Sequence, residues 1–210
     1  MQNKTMSPRP YRMGKRQAAA DDTRARILEA ARQLLANESE TDLGMEAIAR
    51  RADVSRLTIY YQFKSRPGLL EALYDYLAIR GNMRRMAEVF HEADPSVALQ
   101  KLVVTFVGFW SSDPVVIRRL RGMATLDTEI DHGIRSRDAR RQHAAREILR
   151  RTVLGGKKKM STEQQNLTAN VLSMLTSFES YEALARAGHN QGAIIATLTR
   201  IARAAIDLAD

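Results

Sequence analysis

The chain has 210 residues, with 33 Lys and Arg against 24 Asp and Glu, a formal charge of +9 and an isoelectric point near 10.2. That length buries a real core in one helical unit or in two small ones sharing packed helices. The basic balance favours a polyanionic partner, although a merely soluble basic protein has the same composition. There is no cysteine, which excludes disulfides, thiolate catalysis and Cys-based zinc sites.

The longest apolar stretch, Leu102 to Trp110, is interrupted by Thr105 and Gly108 and is too short to cross a bilayer. The N-terminus is basic and has no apolar segment of the kind a secretory signal needs. A cytoplasmic protein with no membrane partner is the expectation.

Residues 1–20 carry Lys4, Arg9, Arg12, Lys15 and Arg16, two prolines and no acid. They read as a flexible basic arm, free to lie in a DNA minor groove or to hang as a plain tail. Thr23, or Asp22 beside it, is placed to cap a first helix with Ile27, Ala31, Leu34 and Leu35 on one face.

A compact helix-turn-helix follows. Met45, Ile48, Ala49 and Ala52 make a single apolar stripe, Asp53 and Val54 a turn, and Ile59 and Phe63 the inward face of a second short helix. At about 100° per residue, Leu57 and Tyr61 then point outward, flanked by Thr58 and Tyr60. Such a pair of helices can set the first turn of the second, here Ser55, Arg56, Leu57 and Thr58, against base edges in a major groove. Arg56 suits guanine O6 and N7 and Leu57 a thymine methyl, while Tyr60, Tyr61, Gln62 and Lys64 suit phosphates. A helical hairpin with a solvated face has the same periodicity.

The stretches TRARILEAARQLL, IARRADVS and TIYYQFKSRPGLLEAL, between Thr23 and Leu73, resemble the DNA-binding signature of TetR-type one-component transcription regulators. The resemblance implies an all-helical homodimer, with three N-terminal helices for operator DNA and a divergent C-terminal domain for an effector. It puts Arg56, Leu57, Thr58, Tyr60, Tyr61 and Gln62 on the recognition helix and Lys64 at the phosphate-contacting start of the next. Three positions depart from the family pattern. Gly44 stands where Thr or Ser usually caps the second helix, a cap weaker by about a few tenths of a kcal/mol. Asp53 replaces a turn glycine but tolerates the left-handed conformation. Leu57 replaces a small residue and alters the surface offered to bases. The expected organisation is an arm at 1–20, a DNA-binding domain at 21–66 and an effector-binding and dimerisation domain at 67–210.

Ser65 is placed to cap a fourth helix with Pro67 in its first turn and Leu70, Leu73 and Leu77 along it. Asp94-Pro95 and Asp113-Pro114 each read as a cap followed by the first helical position. Gly155-Gly156 stops a helix rich in arginine from Arg135 to Arg151, a run that reads as a solvated face or an anion-attracting surface. Ser161 and Gln164 form a capping box opening a helix expected to run to Gly188, with a last helix at about 191–209. No segment shows β alternation, so the fold class is all-α.

The stripes of the last two helices are longer than one helix pair needs. Leu167, Val171, Leu175, Leu198, Ile201 and Leu208 are the candidate dimer interface, with burial inside one subunit as the other reading. Phe106, Phe109, Trp110, Met123, Met174, Phe178 and Tyr181 are candidate walls of an effector cavity for a small apolar or aromatic molecule, with Thr105, Ser173 or Ser177 as polar anchors; ordinary core is the alternative. No phosphate loop, H-E-x-x-H or nucleophile elbow is present, so no catalytic residue, metal or cofactor is expected. Asp127, Asp131 and His132 are better explained as solvated charge at a helix start. The function expected is a repressor released from a palindromic operator by an effector. A ligand-independent or activating regulator of the same fold is the alternative, and an enzyme using the C-terminal cavity comes third.

Overall fold

The computed structural model describes residues 9–37, 43–157 and 159–208, all helical or connecting, with no strand among them. The chain divides into two compact units after Leu73, inside the fourth helix and later than the expected 66/67 boundary.

The first unit holds α1 (Arg9–Ala36), α2 (Met45–Ala52), α3 (Arg56–Phe63) and the first half of α4 (Arg66–Arg80). Ile27, Ala31 and Leu35 of α1, Ile48 and Ala49 of α2 and Ile59 and Phe63 of α3 are buried. Each large aliphatic side chain among them contributes about 1.5–3 kcal/mol by leaving water. One expectation fails at the start. Helix α1 begins at Arg9, so Arg9 to Ala20 are helical and not an irregular arm, and residues 1–8 of that arm lie outside the described residues. Thr23 therefore does not cap. Its hydroxyl instead donates to the Ala19 carbonyl, and Gln17 bonds Asp21 one turn on. The run Ala18 to Ala20, with the best intrinsic helix propensity, carries the helix past the polar residues that looked like a start.

Asp53 ends α2 in the left-handed region at φ 51°. The Val54 N–H returns to the Ala49 carbonyl and the Asp53 N–H to Arg50, the paired bonds of a Schellman motif. Ser55 caps α3 by accepting from the Thr58 N–H at 3.0 Å, and Ser65 receives the Gly68 N–H at 3.1 Å as α4 opens. Gly68 is needed there, because a Cβ would lie 2.2 Å from the Phe63 carbonyl oxygen.

The second unit contains the rest of α4, a 3-10 turn at Met83–Arg85, α5 (Met86–His91), α6 (Pro95–Ser112), α7 (Pro114–Met123), α8 (Thr128–Thr152) with a π turn after it, α9 (Thr162–Leu175), α10 (Phe178–Arg186) and α11 (Gln191–Asp207). Asp94 caps α6 through the Ser96 N–H, and Ser161 and Gln164 close the expected capping box on α9. Apolar α6 runs through the middle, against α5, α7, α8, α10 and α11. Leu99, Leu102 and Val103 meet Ile148, Leu172, Ile194 and Leu198 there, all nearly free of solvent.

The helix expected from Ser161 to Gly188 is two helices. Thr176 turns its hydroxyl back to the Leu172 carbonyl, and Ser177 caps α10 by accepting from the Ser180 N–H. The freed Thr176 carbonyl receives the indole N–H of Trp110 at 3.0 Å, so the end of α9 is satisfied inside the core. No helix among the described residues is long and apolar enough to cross a membrane.

Candidate nucleic-acid interface and C-terminal cavity

Helix α3 buries only Ile59 and Phe63. Its other face holds two ridges at i, i+4 spacing, Leu57 with Tyr61 and Arg56 with Tyr60 and then Lys64. Leu57 is 76% and Tyr61 78% exposed. Two large side chains left in water on a helix of eight residues cost stability and call for a partner surface. Arg56 lies along the helix with its guanidinium 5.5 Å from the Tyr60 ring centroid and donates to the Tyr60 hydroxyl, which raises its pKa above the ordinary value. Lys64 folds over the Tyr61 ring and donates to the Tyr61 carbonyl. It sits at the C-cap of α3 with φ 68° and not on α4, a correction to its expected place. Both cations are thus fixed charges on the exposed face, ready for phosphate or base.

Gln62 differs from its neighbours. Its amide donates to the Ala20 carbonyl at 3.2 Å, and its own carbonyl receives Arg24, whose guanidinium stacks 4.3 Å over Phe63. In this structure the side chain expected to reach phosphate is tied to α1 and sets the angle of α3. Thr58 and Ser55 likewise share a hydroxyl bond of 2.8 Å at the helix start. Gly44 heads α2 with extended backbone, as expected of a cap without a side chain.

In the second unit a cavity of about 670 Å³ opens between the end of α4 and helices α5, α6, α7 and α8. Phe106, Phe109 and Trp110 form one wall, and Tyr74, Leu77 and Met86 another. Three charged groups meet at its edge. The Asp138 carboxylate accepts from Arg121 and from Arg141, each at 3.2 Å. Burial works against the Arg121 charge, but Asp138 and Glu179 more than restore it and hold its pKa above the ordinary value. Arg141 is itself buried and also donates to the carbonyl and hydroxyl of Ser173.

Residues 27–73 match the family model described as bacterial regulatory proteins, tetR family. Over that segment the chain is similar to the TetR family. The chain is 30% identical over 117 residues to the HTH-type transcriptional regulator EthR of Mycolicibacterium smegmatis, covering 55% of this chain and 53% of EthR. It is 33% identical over 86 residues to TtgR of Pseudomonas putida, covering 40% and 41%. It therefore spans about half, or less, of the length of these curated relatives. A TetR transcription regulator from Haloarcula marismortui superposes with a TM-score of 0.64 at 16% identity, over 89% of this chain and 97% of that one, a likeness that shows the fold.

In the second unit four expected cavity residues fall elsewhere. Met174 is exposed on α9, Met123 is half-buried at the end of α7, and Phe178 and Tyr181 are buried in the core behind Trp110. The Trp110 and Phe178 rings meet edge-on at 5.7 Å. The break at Thr176 and Ser177 shifts the phase between Met174 and the residues of α10. Thr105 bonds the Lys101 carbonyl and Ser177 caps α10, so of the three polar anchors expected only Ser173 approaches the site, through Arg141. Leu126 is fully out in solvent.

The candidate dimer residues also separate. Leu175 and Leu198 are in the chain's own core, which corrects their assignment, whereas Leu167, Ile201 and Leu208 are exposed and Val171 is half-buried. Asp127 caps α8 through the N–H groups of Glu129 and Ile130, and Asp131 pairs with Arg135 at 2.7 Å. No cluster of three metal-binding side chains occurs among the described residues.

Proposed function

We propose that this chain is a homodimeric transcription regulator acting in the cytoplasm, a repressor whose two α3 helices hold a palindromic operator and release it when a small molecule fills the C-terminal cavity. The observation that carries the reading is the outward face of α3, where Arg56, Leu57, Tyr60 and Tyr61 are exposed on a domain that matches the TetR family model. Dimerisation is supported by the exposed Leu167, Ile201 and Leu208 of α9 and α11 and its C-terminal end. Gating is supported by Tyr74, which stands in the cavity wall on α4, the helix that runs from one compact unit into the other. An effector shifts the spacing of two recognition helices only if it binds one arrangement better than the other.

Selection of bound duplexes from a random pool tests this directly. The expected product is an inverted repeat with half-sites centred about 10 base pairs, or a multiple of that, apart. Recovery of unrelated sequences, or of a single unrepeated half-site, contradicts it.

A further inference from the structure

The cavity has a chemical bias that its apolar walls hide. Arg121, Arg137, Arg140 and Arg141 line it against the carboxylates of Asp75 and Asp138; Asp138 serves both Arg121 and Arg141, and Arg121 also pairs with Glu179, which stands outside the lining. Arg141 is 8% exposed, and its Nε–H has no acceptor among the described residues. A buried donor of this kind is uncommon and costly, and a missing ligand or ion is one of the few explanations for it. The residue is on the inward face by design of the helix. Ile130, Ile134, Arg137, Arg141, Ala144 and Ile148 follow a 4-3-4-3-4 spacing along α8, so Arg137 and Arg141 take positions that the pattern otherwise gives to apolar side chains.

We infer that the effector is an amphipathic organic anion, a monocarboxylate with an aliphatic or aromatic body. Its carboxylate joins the Arg121–Asp138–Arg141 group and its apolar body lies against Trp110, Phe106 and Met86. The inference rests on the ligand-gated reading above and gives it a substrate class. A guanidinium edge matches a carboxylate in shape and charge, and such bonds are about twice as strong as neutral ones. A quaternary cation suits the aromatic wall equally well but meets the excess of arginine. The volume lies within the range of ordinary small-molecule sites, about 300–1,000 Å³.

Trp110 is the sole tryptophan and stands in the wall, so its emission reports occupancy without a label. The test titrates the full-length protein with decanoate, decan-1-ol and decyltrimethylammonium, and repeats the titration with Arg121→Gln and Arg141→Lys, helicity being checked by circular dichroism. Decanoate is expected to bind at least about tenfold more tightly than either counterpart, and Arg121→Gln to erase most of that preference while leaving decanol within about twofold. Arg141→Lys, which keeps the charge but removes the Nε–H, is expected to lie between the two. Equal binding of the alcohol or the cation, no binding of any probe, or an unchanged preference in folded Arg121→Gln overturns the inference. Decanoate that binds as expected yet leaves operator affinity unchanged upholds the anion site and refutes gating alone.

Discussion

The Tyr74 hydroxyl donates to the Ile130 carbonyl at 2.9 Å, and its ring fills the space left by the missing side chain of Gly133. A Cβ on Gly133 would lie 2.3 Å from Tyr74 Cε2. Arg137, one turn along α8, lies 4.2 Å from the ring centroid and pairs with Asp75. The second half of α4 is therefore clasped to α8 by one aromatic ring that also lines the cavity.

Gly133→Ala is expected to displace that ring and lower stability by about 1–3 kcal/mol. Tyr74→Phe, which removes only the hydroxyl, is expected to cost about 0.5–1.5 kcal/mol. Urea denaturation of both variants and of their double mutant checks the contact, since residues that touch give non-additive losses. Strict additivity would sink the clasp.

At the turn of the helix-turn-helix, Asp53 holds φ 51° with an L side chain. A left-handed conformation costs an ordinary L residue about 1–2 kcal/mol, less for Asp. Asp53→Gly is expected to be neutral or stabilising by up to about 1 kcal/mol, and Asp53→Val destabilising by about 1 kcal/mol or more. Thermal melts of the two variants should bracket the wild type.

On the candidate dimer face the contrast between two neighbours on α11 is diagnostic. Ile201 is 43% exposed and Leu198 3% exposed. Ile201→Glu is expected to give a folded monomer in sedimentation velocity, and Leu198→Glu an unfolded or aggregated chain, because the second buries an unpaired charge. A wild type that is itself monomeric at micromolar concentration, or an Ile201→Glu dimer, contradicts the interface.

Much of the first unit was legible in the sequence because its signals are local. The stripe of α2 and the turn at Asp53 each involve residues within one or two turns, and the structure places them as the spacing does. Gln62 was not legible, since its tie to Ala20 joins residues far apart in the chain. The Thr176 break was not legible either, since the apolar stripe runs on across it and the Trp110 bond that completes it is again long-range.

The arginines of α8 show a different limit. Counted as a run they look like a solvated face, and Arg135, Arg140, Arg146 and Arg150 are exposed as that reading requires. Placed on the apolar spacing of Ile130 and Ile148, Arg137 and Arg141 belong to the inward face, a signal present in the sequence that composition alone obscures. The walls from α4 and α5 gave no such signal, because Leu77 and Met86 look like any other core residues.

The central claim is that the exposed face of α3 reads DNA sequence, and the specificity ratio of Arg56→Ala tests it most directly. Fluorescence anisotropy on the selected operator and on random duplex, across a salt series, separates base from backbone contacts. Arg56→Ala is expected to lose about 1–3 kcal/mol on the operator with little change on random DNA, while Lys64→Ala weakens both alike and flattens the salt slope by about one unit. Equal losses on both duplexes for Arg56→Ala, or a wild type with no preference for its selected site, would contradict it.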